Sequence, residues 1–339
     1  MPHKNIPIFI PHLGCPNQCV FCNQRSISGC REFDERTVAG QIEEALRTVV
    51  EGVECEIAFF GGSFTGIDRD LMCRLLDVAE RYVRVGRVSS IRLSTRPDYI
   101  DREVLSILSR YSVRTVELGL QSMNDRVLDA SRRGHTRETA ERACRAIKAA
   151  GLMLVGQMMI GLPSSTAEDE IATARDLCAL GCDAARIYPT VVFYDTPLCE
   201  MTKAGDYQPL TVDEAVARSA SVLEILLAHD VPCIRIGLCA TESLTSDEFV
   251  LAGPNHPALG ELVWNAYYKR KILSVLTSSG LLGGDVILHV PAREVSKAVG
   301  QRRVNIEEIE RETDTRIRKV VGDSRRGLSV APYTASKKQ

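Results

Sequence analysis

The sequence predicts an α/β chain: a partial (β/α)6-type barrel followed by a helical segment and a small α+β unit. Three observations carry this. Short apolar runs alternate with amphipathic stretches of helical period up to about residue 240. Small and polar residues (Gly, Ser, Thr, Gln) punctuate the ends of the apolar runs. Beyond residue 240 the alternation stops, and a long helical pattern leads into a compact second set of runs.

Taken in order, Ile6–Ile10 reads as a strand and Glu35–Val50 as a helix. Glu56–Phe60 is a strand running into Gly61-Gly62, and Asp68–Val83 is helical. Strand Val88–Ser94, helix Arg102–Tyr111, strand Val113–Leu120 and helix Glu138–Ala150 follow. Leu152–Ile160 is a strand ending at Gly161, Ala167–Leu180 a helix and Ala184–Val192 a strand. Helix Val212–His229 and the short strand Cys233–Ile236 complete the series. Strands alternating with helices of this length mean βαβ units and a parallel sheet. Six or seven units are too few to close an eight-fold barrel, so a partial barrel is expected, with an open doubly wound sheet as the alternative. In either architecture function collects at the C-terminal strand ends. Those ends carry the loop after Ile10, Gly61-Gly62-Ser63, Ser94-Thr95-Arg96, Gln121, Gly161 and Tyr188.

The expected organisation is therefore a barrel over 1–240, a helical extension or linker over 241–283, a small unit over 284–322 and a disordered tail over 323–339. Glu261–Gly280 reads as one long helix, and Gly283-Gly284 as a linker. The small unit reads strand Val286–Val290, helix Ala292–Val299, a loop at Gly300, helix Asn305–Thr313 and strand Arg316–Val320.

Composition agrees with a globular chain large enough to build its own core: 339 residues, 45% hydrophobic, 25% charged. Aromatics make up 5% with one Trp, so the apolar mass is Ala, Val, Leu and Ile, as helices packed on a buried sheet require. No apolar run is long enough to cross a bilayer, and Met1–Pro11 is too short and Pro-rich for a secretory signal, so a cytoplasmic protein is expected. The net charge of −2 hides an asymmetry. Ala292–Gln339 has 12 Lys and Arg against 7 Asp and Glu, a net of +5, on a body of −7. A basic end on an acidic body points towards a polyanionic partner.

Nine of the twelve cysteines are scattered. Cys55, Cys73, Cys144 and Cys233 have apolar neighbours and read as small core residues. Cys15, Cys19 and Cys22 differ: they share one Gly/Pro loop with spacing C-x3-C-x2-C. Three thiolates can bind three irons of a cubane and leave the fourth iron open for a substrate or cofactor. The alternative is a zinc site, with His12 or Cys30 as fourth ligand.

That cysteine spacing after the first strand of an α/β barrel resembles the radical S-adenosylmethionine (SAM) superfamily. The resemblance implies a [4Fe–4S] cluster on Cys15, Cys19 and Cys22, SAM chelated at the open iron, and reductive cleavage of SAM to a 5′-deoxyadenosyl radical. It places Phe21 near the adenine and Gly61-Gly62 at the SAM amino group. Ser63 stands where the superfamily carries Glu, which shifts that polar contact to the backbone or Thr65. Ser94, Thr95 and Gln121 are the further expected cofactor contacts. The cleavage needs an electron donor such as a flavodoxin or ferredoxin.

Ser94-Thr95-Arg96-Pro97-Asp98, Val116-Glu117-Leu118-Gly119-Leu120-Gln121-Ser122, Arg133-Gly134-His135-Thr136 and Ile187-Tyr188-Pro189-Thr190 occur in that order. They are similar to the catalytic subunit of Elongator, a tRNA wobble-uridine modifying enzyme, over about Ile6–Leu210. Oxygen-independent coproporphyrinogen oxidases share the cysteine spacing at greater distance. Glu117 and Tyr188 are the candidate catalytic residues; Glu117 otherwise faces a polar barrel interior, and Tyr188 is otherwise an amphipathic core residue. His135 is either functional or a cap. About a hundred residues follow Cys239, fewer than the acetyltransferase-like domain of the Elongator subunit needs, so only the radical half of that chemistry is expected.

The unit at 284–322 resembles a minimal KH motif, whose GXXG loop clamps a nucleic-acid backbone. Gly300, Gln301, Arg302 and Arg303 are its candidate RNA contacts, with Arg303 in place of the second glycine. The expected function is a radical SAM enzyme modifying RNA, tRNA above all. A radical SAM enzyme for a small molecule or tetrapyrrole, and a non-catalytic RNA-binding protein with a structural metal, are the alternatives.

Overall fold

A computed structural model describes residues 3–10, 13–15, 19–23, 33–50, 52–238, 248–323 and 327–334. The chain divides into two units, Met1–Ala215 with Ile225–Pro257, and Val216–Glu224 with Ala258–Gln339.

In the first unit seven strands form one parallel sheet: β1 (His3–Ile10), β2 (Glu54–Gly61), β3 (Ser90–Thr95), β4 (Val113–Gln121), β5 (Met153–Ile160), β6 (Ala184–Pro189) and, after the two-residue β7 (Val192–Phe193), β8 (Cys233–Ile236). Their order in the sheet is β1-β2-β3-β4-β5-β6-β8, which follows the chain. Crossovers that each return to the next position along the sheet produce this order. The sheet curls into a half-barrel, as the alternation of runs predicts. Cys55 to Phe59 of β2 are buried without interruption, the mark of a strand covered on both faces.

The crossover helices are α1 (Val38–Leu46), α2 (Arg69–Arg84), α3 (Arg102–Leu108), α4 (Asp125–Ala130), α5 (Arg137–Ala149), α6 (Ala167–Ala179), α7 (Pro197–Ala204) and α8 (Val212–Ala228). Side-chain caps fix where most of them begin. Asp68, Asp101 and Thr136 accept from backbone amides of the first turn, and Thr166 and Thr211 form full capping boxes. Each cap contributes about 1 kcal/mol.

Two boundaries differ from expectation. The helix expected over Glu35–Val50 spans only Val38–Leu46, after a turn capped by Asp34. The β-branched run Thr48-Val49-Val50 beyond it loses rotamer freedom in a helix. Strand β6 stops at Pro189, which has no amide to donate, and the chain resumes as β7, paired antiparallel with β9 (Val250–Ala252). Cys55 and Cys144 are buried, whereas Cys73 and Cys233 are half-buried.

The second unit has a three-stranded sheet of order β11-β10-β12. β10 (Asp285–Pro291) pairs parallel with β11 (Arg316–Asp323) and antiparallel with β12 (Ser329–Pro332). Helices α9 (Leu259–Ser279), α10 (Val295–Val299) and α11 (Val304–Thr313) belong with it. Tyr268, Ile272 and Leu276, four residues apart on one face of α9, join Val286, Leu288, Val290, Ile306 and Ile309 in a single core. The helix expected as a linker is therefore part of this unit. The expected disordered tail is corrected at Ser329–Pro332, where β12 pairs along an edge of β10, with Leu328 and Val330 packed on the core. The Ser- and Lys-rich ending masked that short apolar pair. Among the described residues no helix is long and apolar enough to cross a membrane.

Candidate active site

The C-terminal ends of the strands surround a cavity of about 600 Å3, lined by Cys15, Cys19 and Cys22 together with residues from β2 to β6. The cysteine loop is seated on the turn after β2. The Gly62 amide donates to the Ile10 carbonyl at 2.7 Å, and the Ser63 amide to the Leu13 carbonyl at 3.0 Å. Two glycines make this approach possible. A Cβ on Gly62 would lie 2.1 Å from the Leu13 carbonyl oxygen, and one on Gly14 would lie 2.3 Å from that of Ser63. The Gly62 and Ser63 amides are thus engaged by the carbonyls of Ile10 and Leu13, which lead into the cysteine loop.

Further along the loop, the Val20 amide donates to Ser131, and Val20 packs with Val192, Leu198 and Tyr207. Phe21 rests against the same cluster and lines the cavity. Cys15 Sγ lies 3.4 Å from Ser63 Oγ. Cys19 is buried and accepts from Arg133 Nη1 at 3.1 Å, with Arg96 Nη1 at 3.9 Å. Arg96 is forked onto Asp98 at 2.9 and 3.0 Å and also donates to the Arg133 carbonyl. Burial opposes its charge, but Asp98 more than restores it, so its pKa stands above the ordinary value.

Ser94, Thr95, Glu117, Gln121 and Tyr188 line this cavity too. Gln121 ends β4 at a bulge, in left-handed backbone with φ 68, and its side chain meets that of Gln157 at 3.4 Å. A buried non-glycine residue held there is strain of the kind that collects at ligand sites. Thr65 does not line the cavity. It is fully buried, sharing a 2.7 Å contact with Thr95 Oγ1 and donating to the Tyr99 carbonyl. Its hydroxyl ties the end of β3 to the turn at Tyr99, which is a correction to its expected contact with the cofactor.

Glu117 is the hub of a buried charge ladder. Its Oε1 accepts from Arg92 at 2.9 Å and from Arg186 at 2.8 Å. Arg92 also binds Glu56 at 2.9 Å. Arg186 reaches the Tyr188 hydroxyl at 3.2 Å and lies over the Phe60 ring. Burial pushes the Tyr188 phenol up, which keeps it protonated at neutral pH. Engaged by two guanidiniums, Glu117 orders the barrel floor instead of standing free as a base. His135 is buried beside this region. Burial, then the Arg133 charge, lowers its pKa to about 4.

Arg92, Gln157 and Arg186 were not singled out from the sequence. Period-two reading of the strands could have found them, since charged or amide residues recur at inward positions of consecutive strands. Arg133 stood in the Arg133-Gly134-His135-Thr136 motif, but nothing in that motif pointed to its contact with Cys19. Gly300, Gln301, Arg302 and Arg303 stand in the second unit, where the last three are exposed. Arg302 and Arg303 both adopt left-handed backbone, with φ 51 and 67. His12 and Cys30, the alternative fourth zinc ligands, lie outside the described residues.

The three cysteines can be tested against a metal group. A single zinc draws its thiolates to one point about 2.3 Å away. A cubane takes one iron per thiolate, and the three thiols line one cavity, a donor set that fits it. Fold and site together define a parallel half-barrel with a cavity at its strand ends whose three cysteines fit an iron–sulfur cluster.

A family model for the radical SAM superfamily matches residues 9–177, and one for the radical SAM C-terminal domain matches 182–269. A tRNA uridine(34) acetyltransferase of Methanocaldococcus infernus is 32% identical over 136 residues, 38% of this chain and 25% of that protein. Elongator complex protein 3 of Saccharomyces cerevisiae is 30% identical over 266 residues, 66% of this chain and 47% of that protein. The chain thus spans between a quarter and half of the length of these two relatives. The structure of archaeal Methanocaldococcus infernus Elp3 with an N-terminal deletion superposes with a TM-score of 0.61 at 20% identity, over 82% of this chain and 63% of that one. The chain belongs to the radical SAM superfamily, whose members use a [4Fe–4S] cluster and SAM. It is an enzyme of that kind.

Proposed function

We propose that this enzyme modifies RNA, with tRNA as the foremost substrate, by radical chemistry in the half-barrel cavity. The observation that carries it is the convergence of Cys15, Cys19 and Cys22 with the polar strand ends on one cavity of about 600 Å3. Cys15, Cys19 and Cys22 hold the cluster. When bound, cluster and SAM supply a carbon-centred radical able to abstract a hydrogen atom from an unactivated position. The chain's own residues do the remainder. Gly61 and Gly62 keep the cysteine loop in register, and Phe21 supplies an apolar face at the cofactor's side of the cavity. Ser63, Ser94, Thr95 and Gln121 offer polar contacts there. Glu117 fixes Arg186, which in turn aims the Tyr188 hydroxyl, a donor that stays protonated. Phe9, Phe193 and Met159 make the rest of the wall partly apolar, which suits a planar base withdrawn from its stack.

RNA as substrate is supported by the tRNA-acting relative and by the second unit. There the strand–helix–loop–helix–strand order surrounds the turn at Gly300, where Gln301, Arg302 and Arg303 are exposed. Two adjacent arginines on a turn contact phosphates without reading sequence. The KH-like assignment and the contacts at 300–303 are part of this proposal.

The test is anaerobic incubation of cluster-loaded protein with SAM, reductant and total tRNA, followed by mass spectrometry of the nucleosides. A new or altered nucleoside with 5′-deoxyadenosine formed alongside is expected. SAM cleavage stimulated by a small molecule but never by RNA, with every nucleoside unchanged, refutes the substrate.

A further inference from the structure

Two side chains at the floor of the cavity each keep one polar group that no protein partner uses. Arg92 Nη1 and Arg186 Nη2 both donate to the same oxygen of Glu117, Oε1. Among the described residues nothing donates to Oε2, and Glu117 lines the cavity. A guanidinium only donates, so the 3.2 Å contact of Arg186 Nη1 with the Tyr188 hydroxyl takes the phenol oxygen as acceptor. The phenol hydrogen remains to be given, and among the described residues nothing accepts it. Burial keeps that phenol protonated. Glu117 and Tyr188 thus occupy the two terminal nitrogens of one planar fork, which sets an acceptor and a donor side by side.

We propose that Glu117 Oε2 and the Tyr188 hydroxyl read the edge of a nucleobase, the carboxylate accepting a base N–H and the phenol donating to the acceptor beside it. Bases carry an N–H next to a carbonyl oxygen or ring nitrogen on one rigid plane, and unpaired RNA is read along such edges. A phosphate or carboxylate has no donor for Glu117 and meets its charge. An alkyl chain offers neither group. Phe9, Phe193 and Met159 supply apolar surface for the flat faces of the same ligand. Glu117 cannot turn its second oxygen away without leaving Arg92 and Arg186, so the order of acceptor and donor is fixed. The edge being read is the one used in pairing, so the base enters unpaired.

The inference rests on the RNA reading above and names what that site recognises. Its experiment is fluorescence anisotropy of the anaerobic, cluster-loaded full chain with two end-labelled probes of equal length. One is an oligouridylate, the other the same oligomer with N3-methyluridine throughout. Both carry the same phosphates, so contacts to the backbone treat them alike. Methylation removes the N–H and blocks the edge. Wild type is expected to bind the methylated oligomer about tenfold more weakly, the cost of a buried polar group left unsatisfied. Tyr188→Phe removes the donor. Glu117→Gln keeps an oxygen on the guanidiniums and turns an amino group to the cavity, so the acceptor becomes a donor. Both variants are expected to weaken the oligouridylate and leave the methylated oligomer unmoved, which closes the difference. Should Glu117→Gln fail to fold, Tyr188→Phe decides. Equal binding of the two oligomers by wild type overturns the inference, and so does a difference that Tyr188→Phe leaves unchanged. An oligouridylate that does not bind at all defeats the RNA reading itself, which separates the two failures.

Discussion

Replacing Glu117 by Ala removes the hub on which two buried guanidiniums converge. The Glu117 side chain is 3% exposed, those of Arg92 and Arg186 11% and 12%. Arg92 keeps Glu56 as a partner, but Arg186 is left with the Tyr188 hydroxyl and the Phe60 ring among the contacts described here. Removing one partner of a buried pair costs about 3–5 kcal/mol, mostly through the charge left behind. The expected loss for Glu117→Ala is therefore about 4 kcal/mol in the cluster-free protein. Glu117→Leu with Arg186→Leu removes both charges together and is expected to cost less than Glu117→Leu alone, a coupling a double-mutant cycle reads directly. The assay is urea unfolding followed by far-UV circular dichroism. Trp264, the one Trp, lies in the second unit, and its fluorescence reports that unit separately. A loss under about 1 kcal/mol for Glu117→Ala, the range of solvated surface pairs, would refute a buried ladder.

His135 gives the pH dependence. Its folded pKa, about 4, lies below its ordinary 6.5, so the unfolded chain takes up the proton first. Stability is then full above pH 6.5 and falls as pH drops towards 4, by about 3 kcal/mol from this group; His135→Phe is expected to flatten that part of the apo protein's stability–pH curve, and an unchanged slope contradicts it. Ile272→Ala opens the core of the second unit and is expected to cost about 2–5 kcal/mol in the Trp264 fluorescence transition. Arg302→Ala with Arg303→Ala should weaken RNA binding and reduce the salt dependence of log K by about 1.4, two phosphate contacts on a single strand. Filter binding across a salt series measures it, and an unchanged slope removes these arginines from the interface.

The barrel was legible in the sequence because parallel strands buried on both faces leave unbroken apolar runs, as at Ile57-Ala58-Phe59. The cysteine loop was legible because three Cys in eight residues have few physical uses. What escaped came from pairing across the fold. Arg133 meets Cys19 from 114 positions away, and Arg186 meets Glu117 from 69. No local pattern encodes either contact. Thr65 was misplaced because Ser63, two residues before it, lines the cavity while its own hydroxyl turns to Thr95. Strand β12 was missed because its partner edge exists only once β10 has formed.

The most direct measurement is EPR of the anaerobically reconstituted chain, reduced, with and without SAM. The assignment of Cys15, Cys19 and Cys22 to a cluster with one open iron requires an iron–sulfur signal that SAM perturbs, lost in Cys19→Ala. Bound zinc with no iron–sulfur signal in the wild-type protein would contradict it.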